Sequence, residues 1–495
     1  MAAGKKSYLI GSTIIAALGG LLFGFDTAVI SGTEKALQTI YSLSQFWLGF
    51  TVASALIGTI IGAVAASRPA DRFGRKTTLI WIAALYFVSA VGCAFAWDWY
   101  SLLFFRFIGG LGVGGASVVS PLYIAEISPA RYRGRLVAVT QFNIVLGILL
   151  AFFSNYLIAQ FDLGDLEWRW MFGVEAFPAA AFGLLLFLTP RSPRWLVARQ
   201  KLDEAAAVLA KLGTDTDDID SEIDEIVRSI ESERKAASER FFQKAYLKPI
   251  LMAIAIAAFN QLSGINALMY YGPRIFRMAG AGEDSALLQA VAVGFTNLVV
   301  TMAAMAIIDH FGRKKLMIVG SIGYILSLGC TAWAFFTYAD AFHAAGEALK
   351  LIEQLRETAP NDLAAIQAAQ TQLQQAIESA GIGPTVVLVS LLVFIASHAF
   401  GQGAVIWVFL SEIFPNRVRA RGQALGSFTH WFMCAAISWT FPIFAEKSGG
   451  LPFAFYACMM VLQLLWVLII MPETKGIPLE QIQRRLGITP NGTAE

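Results

Sequence analysis

The sequence predicts an all-α membrane protein, with twelve transmembrane helices in two pseudo-symmetric six-helix bundles. Three observations carry that prediction. Of 495 residues, 57% are hydrophobic and only 15% charged, with a mean hydropathy of +0.61; a water-soluble domain carries about 25% charged residues. Apolar runs of about 20 residues, long enough to cross the hydrocarbon core of a bilayer, recur twelve times. The charged stretch Ala70-Asp71-Arg72-Phe73-Gly74-Arg75-Lys76 returns as Ile308-Asp309-His310-Phe311-Gly312-Arg313-Lys314, an offset of 309 − 71 = 238 residues. A short charged turn repeated near the half-length, each time between apolar runs, marks one membrane module used twice.

Taken in order, the spans of the first half fall near 9–30, 46–67, 78–97, 101–122, 136–159 and 168–189. Those of the second half fall near 248–276, 286–308, 315–338, 385–410, 422–444 and 452–471. The first span follows a short polar start with Lys5 and Lys6 and shows no early small-residue cleavage site, so it reads as a span and not a signal peptide. Arg68, Arg72, Arg75 and Lys76 follow span 2, and Arg131, Arg133 and Arg135 follow span 4. Arg313, Lys314 and Lys315 follow span 8, and Arg417, Arg419 and Arg421 follow span 10. The alternate loops hold little beyond Lys35, Arg277 and Lys447. The positive-inside rule therefore predicts a multi-pass cell-membrane protein with both termini in the cytoplasm.

This gives a first bundle at 1–190, a cytoplasmic helical linker at 191–246, a second bundle at 247–476 and a tail at 477–495. In the linker, Leu202, Val208, Leu209, Ile219, Ile223, Ile226 and Ile230 are spaced for amphipathic helices. An insert at about 339–384 holds two helix-forming stretches around Pro360-Asn361-Asp362, which predicts an extracytoplasmic helical hairpin. A cap or spacer is the favoured role for it.

Composition also excludes. A formal net charge of +2 gives no footprint for nucleic acid. Cys93, Cys330, Cys434 and Cys458 lie in or beside apolar runs without a C-x-x-C pair, and read as small buried hydrophobes. Metal-ligand clusters and nucleophile–base pairs do not stand out among the spans, so neither an enzyme nor a cofactor is expected.

An ionisable group at mid-bilayer costs about 2.5–3.5 kcal/mol on the lenient insertion scale, so each one needs a reason. Asp26, Arg106 and Glu175 are the charges inside the spans, with His398 and His430. Asp26 and Arg106 make a natural ion pair, either a static bridge between spans 1 and 4 or a proton site. Glu175 sits near the outer end of span 6, where reaching the interface and a role inside the membrane are equally open. Span 7 carries Asn260-Gln261-Leu262-Ser263-Gly264-Ile265-Asn266, then Pro273; amides there need partners or a watery cavity, and Gly264 and Pro273 allow the helix to break. Gln141 and Asn297 add amides, which both donate and accept and so suit a polyol. Trp407, His430 and Trp431 add flat faces for a sugar ring.

With these residues in hand the chain resembles a sugar porter of the major facilitator superfamily, and in motif the bacterial proton–sugar symporters. The matching motifs are Gly24-Phe25-Asp26-Thr27-Ala28-Val29-Ile30-Ser31-Gly32, the two Asp-x-x-Gly-Arg-Lys turns, Tyr123-Ile124-Ala125-Glu126 with Arg133-Gly134-Arg135, and Gln261-Leu262-Ser263-Gly264-Ile265-Asn266. Ser411-Glu412-Ile413-Phe414-Pro415 with Arg419 and Pro472-Glu473-Thr474-Lys475-Gly476 complete them. The resemblance implies proton coupling at Asp26 and Arg106, and sugar contacts from Gln141, Asn260, Gln261, Asn266, Asn297, Trp407 and Trp431. It implies an ion-pair gate that sets Glu126 with Arg133 and Glu412 with Arg419, and includes Asp71, Arg75, Asp309 and Arg313.

The chain also departs from that family. His398 and His430 stand where relatives have an aromatic residue and an amide, and both are expected to line the site. Gly403-Ala404 replaces Gly-Pro, so span 10 is expected to bend less sharply. Pro190-Arg191-Ser192-Pro193-Arg194 lacks one gate acid. The expected function is proton-coupled import of a hexose or pentose by a monomer, through alternating access. A uniporter of the same fold, with Asp26 structural, is the alternative. A sugar sensor is more remote, because little chain follows Gly476.

Overall fold

The protein is described from a computed structural model, which covers residues 3–129, 131–213, 218–236, 240–415, 417–477, 479–486 and 488. It is all-helical, because a bilayer offers no partner for an unpaired backbone N–H or C=O and each helix satisfies its own. In the first half α1 (Ala3–Ile40), α2 (Gln45–Ala65), α3 (Ser67–Phe73), α4 (Arg75–Ala94), α5 (Trp99–Ile127) and α6 (Arg133–Ala159) are followed by α7 (Glu167–Gly173) and α8 (Ala176–Leu185). The last two share span 6. The linker folds as α9 (Pro193–Ala198), α10 (Leu202–Leu212) and α11 (Ile219–Ala236). Leu209, Ile219 and Ile223 close a small core there with Leu196 and Val197.

The second half opens with α12 (Leu247–Leu262) and α13 (Ile265–Met278), the two pieces of span 7. There follow α14 (Glu283–Phe311), α15 (Arg313–Thr337), and the hairpin α16 (Ala339–Thr358) with α17 (Leu363–Ala380). Span 10 is divided into α18 (Gly383–Phe400) and α19 (Gln402–Glu412), and α20 (Arg419–Lys447), α21 (Leu451–Ile469) and the short α22 (Leu479–Arg485) end the chain. Among the described residues eleven helical segments are long and apolar enough to cross a membrane. The twelfth, α20, has the length at 29 residues, but Gln423, Thr429 and His430 dilute its hydropathy.

Three local breaks differ from simple spans. Gly264 takes φ +83°, a left-handed conformation open to glycine, and separates α12 from α13; Tyr271 is also non-helical, two residues before Pro273. Span 10 is interrupted at Gly401 (φ −91°, ψ −96°), so loss of the Gly-Pro pair has not left it continuous. Span 1 runs ten residues past its expected end at 30, since Glu34 and Lys35 find charged partners in the other half.

The duplication shows in the backbone. Gly74 (φ 92°, ψ 154°) and Gly312 (φ 86°, ψ 155°) adopt one conformation, each starting the helix that follows it. The halves meet through α1 on α13, α2 on α20 and α6 on α14. Gly49 lies so close to the Trp439 carbonyl that a Cβ would collide with it.

Candidate functional site

A buried ion pair lies between α1 and α5. Arg106 Nη1 donates to Asp26 Oδ1 at 2.9 Å, and Arg106 and Asp26 are only 1% and 4% exposed. Room for the carboxylate comes from Gly109, where a Cβ would strike Ser89 Oγ and come within 3.4 Å of Asp26 Oδ1. The Arg106 guanidinium stands 5.6 Å from the centre of the Phe172 ring, and its Nε has no partner. Glu175 does not reach an interface, which its position near the span end left open. It is 3% exposed, lies within electrostatic reach of both Asp26 and Arg106, and leaves Oε1 unpartnered. Two carboxylates and one guanidinium are thus buried within electrostatic reach of one another, an arrangement able to hold a variable number of protons.

The second cluster is built on the break in span 7. Gln261 is fully buried; its Nε2 donates to Asn260 Oδ1 at 2.9 Å, and its Oε1 accepts from Asn266 Nδ2 at 2.7 Å. Its Nε2 also lies 3.2 Å from His430 Nδ1, and the His430 ring sits 5.3 Å from that of Trp407. Trp431 is buried and meets Phe23 of the first half at 5.6 Å. So Asn260, Gln261, Asn266, His430, Trp407 and Trp431 come together. His398 faces Tyr324, whose hydroxyl is 2.6 Å from His398 Nδ1. Asn297 on α14 accepts from Thr301 Oγ1 at 3.3 Å, and Gln141 on α6 is half-buried.

At the end bearing the repeated turns two ion-pair clusters form, one in each half. Arg75 bonds Glu126 at 2.9 Å and Asp71 at 3.1 Å; Glu126 also accepts from Ser192 Oγ at 2.6 Å. Arg313 bonds Glu412 at 2.9 Å, which accepts from Thr474 Oγ1 at 2.6 Å. The expected partners differ. Arg133 starts α6 exposed to solvent, and Arg419 keeps Nε and Nη2 buried without a partner. The Asp309 side chain lies outside the described residues. Glu473, a motif residue with no role assigned from sequence, accepts the backbone N–H groups of Arg313 at 2.9 Å and Lys314 at 3.1 Å.

The opposite end joins the halves. Arg274 and Arg277 of α13 both bond Glu34 of α1, Arg274 also donates to Gln38 at 3.1 Å, and Lys35 bonds Glu283 at 3.0 Å. The sequence signal for this network was thin: isolated charges at the ends of apolar runs.

Comparison with known proteins then places the chain. The family model described as "Sugar (and other) transporter" matches residues 12–351 and 363–486. The D-xylose-proton symporter of Escherichia coli strain K12 is 36% identical over 97% of this chain and 96% of its own. The arabinose-proton symporter of Bacillus subtilis is 32% identical over the same shares, and the glucose transport protein of Synechocystis is 36% identical over 94% and 95%. The partially occluded inward-open structure of the E. coli xylose transporter XylE superposes with a TM-score of 0.78 at 35% identity, covering 95% of this chain and all of that one. The same transporter bound to 6-bromo-6-deoxy-D-glucose gives 0.74. The buried charge pair on α1 and α5, the amide cluster at the broken span and the twin turns are therefore features of a member of the sugar transporter family, with the major facilitator fold.

Proposed function

We propose that the chain is a proton-coupled monosaccharide symporter that works by alternating access as a monomer. The observation that carries this reading is the buried Asp26–Arg106 pair, which ties two helices of one half together. A proton arriving on Asp26 removes one charge of the pair, and the packing of α1 against α5 relaxes. Moving one charge across 100 mV supplies about 2.3 kcal/mol, enough for roughly fifty-fold accumulation at tenfold per 1.4 kcal/mol.

Substrate contacts fall to Gln141, Asn260, Gln261, Asn266, Asn297, Trp407 and Trp431, with His398 and His430 tuning which sugar fits. The bundles 1–190 and 247–476 move as the two bodies, joined by 191–246. The Arg-rich turns, both termini and the tail from 477 face the cytoplasm of the cell membrane, and the hairpin faces outside. In this reading the conformation is inward-facing, since the interhalf charges close the outer end. The resemblance to xylose– and arabinose–proton symporters supports coupling, and the glucose transport protein among the relatives keeps hexose and pentose both in view.

The test is transport in sealed proteoliposomes with D-xylose, L-arabinose and D-glucose in turn. The expected result is sugar-induced alkalinisation outside and uphill uptake that Asp26→Asn abolishes while leaving sugar counterflow. Sugar flux without proton movement, with uphill uptake intact in Asp26→Asn, would make the chain a uniporter.

A further inference from the structure

The hairpin α16–α17 is fixed to the second half by apolar contacts. Phe342 is buried, its ring 5.5 Å from Phe335. Ala345 lies against Gly280, where a Cβ would come within 3.3 Å of it. Gly383 lies beneath Tyr338 and Phe342. Small buried residues, Ala348 on α16 with Ala369 and Ala376 on α17, let the two helices close on each other.

Toward the first half the hairpin reaches out with a charge. Glu353 bonds Lys35 Nζ at 2.6 Å, and the same ammonium bonds Glu283 at 3.0 Å. Lys35, Arg274 and Arg277 are three cations; Glu34, Glu283 and Glu353 are the three carboxylates bonded to them. Without Glu353 that bonded set is left with one positive charge in excess. The Lys35 and Glu353 side chains are 40% and 49% exposed, so water can take over both when they part. An exposed pair of this kind shifts a two-state equilibrium by about two- to fivefold, which biases a gate without locking it.

We propose that the hairpin is a strap, anchored on the second half, whose Glu353 latches Lys35 of the first and so sets how often the outer end opens. The proposal rests on the alternating-access reading above. A cap or spacer would need the apolar anchor alone; the ion pair across the halves gives the strap a part in the opening equilibrium.

The test uses the full chain in nanodiscs, with spin labels at Asp165→Cys and Lys447→Cys, two exposed positions on different halves near this end. Cys330 and Cys458, the exposed native cysteines, are replaced by Ser. Pulsed electron–electron resonance then reads the fraction of molecules with the longer distance. Glu353→Gln is expected to raise that fraction about two- to fivefold, and to add nothing once Lys35→Gln is present. Wild-type protein in roughly 1 M salt should move the same way, because the pair is exposed and screened. Deletion of 343–380 is the second variant and should reproduce the shift. If two distances are populated but Glu353→Gln leaves their ratio unchanged, or shifts it equally in the Lys35→Gln background, the strap is wrong. If no variant, with or without D-xylose, shows a second distance, alternating access itself fails and takes the strap with it.

Discussion

At the scale of single residues, burial decides what a charge can do. Asp26 and Arg106 could be read from sequence because each interrupts a long apolar run, and such a charge needs a partner. Glu175 could not, because its position near the end of a run is equally compatible with reaching water; only the packed structure shows it buried. The partners of Glu126 and Glu412 were equally hidden. Arg75 and Arg133 both follow apolar spans closely, and only the packing of α4 on α5 chooses Arg75. His398 tests the substrate cluster at this scale. Replacing it with Phe removes the bond to the Tyr324 hydroxyl, a loss of about 0.5–1.5 kcal/mol. The variant is expected to change the sugar competition profile more than the melting temperature. A lowered melting temperature with an unchanged profile would make His398 a structural residue.

At the scale of elements, the seams between helices depend on glycine. Gly58, Gly62, Gly110 and Gly114 bring α2 and α5 so close that a Cβ on any of them would collide with backbone of the partner helix. With no water between helices to expel, close packing is what holds such a pair. Gly110→Val is expected to lower stability by about 1–3 kcal/mol, as overpacking does, and to show it as a lower melting temperature of the purified protein. Gly134→Ala is the control, with no neighbour within 4 Å of its added methyl. An unchanged Gly110→Val would mean that the seam is slack. Existence and type of the elements were legible from apolar length and the Pro360-Asn361-Asp362 turn; their ends were not. The first helix continues to Ile40 because its charges are answered from the other half, and local sequence holds no record of a partner more than 230 residues away.

At the scale of the whole molecule, Glu34 and Lys35 bond charges of the other half at one end, while Arg75–Glu126 and Arg313–Glu412 pair within their own halves at the turn-bearing end. Trp407, proposed as a substrate contact, remains 40% exposed beside the His430 ring. With Cys330 and Cys458 removed, Trp407→Cys should react with a membrane-impermeant maleimide in inside-out vesicles and be protected in right-side-out ones. Equal labelling from both faces would contradict a closed outer end. The twofold repeat was visible in the turns, yet the direction of opening was not, because one sequence must encode every state of the cycle.

The two turns are copies in backbone but are held by unlike means. Gly74 lies under the Trp195 ring, whose Nε1 donates to the Asp71 carbonyl at 3.0 Å, while Arg199 Nη2 donates to the Arg72 carbonyl at 2.8 Å. Gly312 is covered by Glu473, close to the end of the chain. Residues 192–199 therefore belong structurally to the first half, however linker-like their sequence. Any scheme that expresses the halves as separate polypeptides has to cut after α10, and any fusion at the C-terminus has to begin beyond Glu473. A cut at the apparent end of span 6 would strip the first turn of its roof, while the second kept its own.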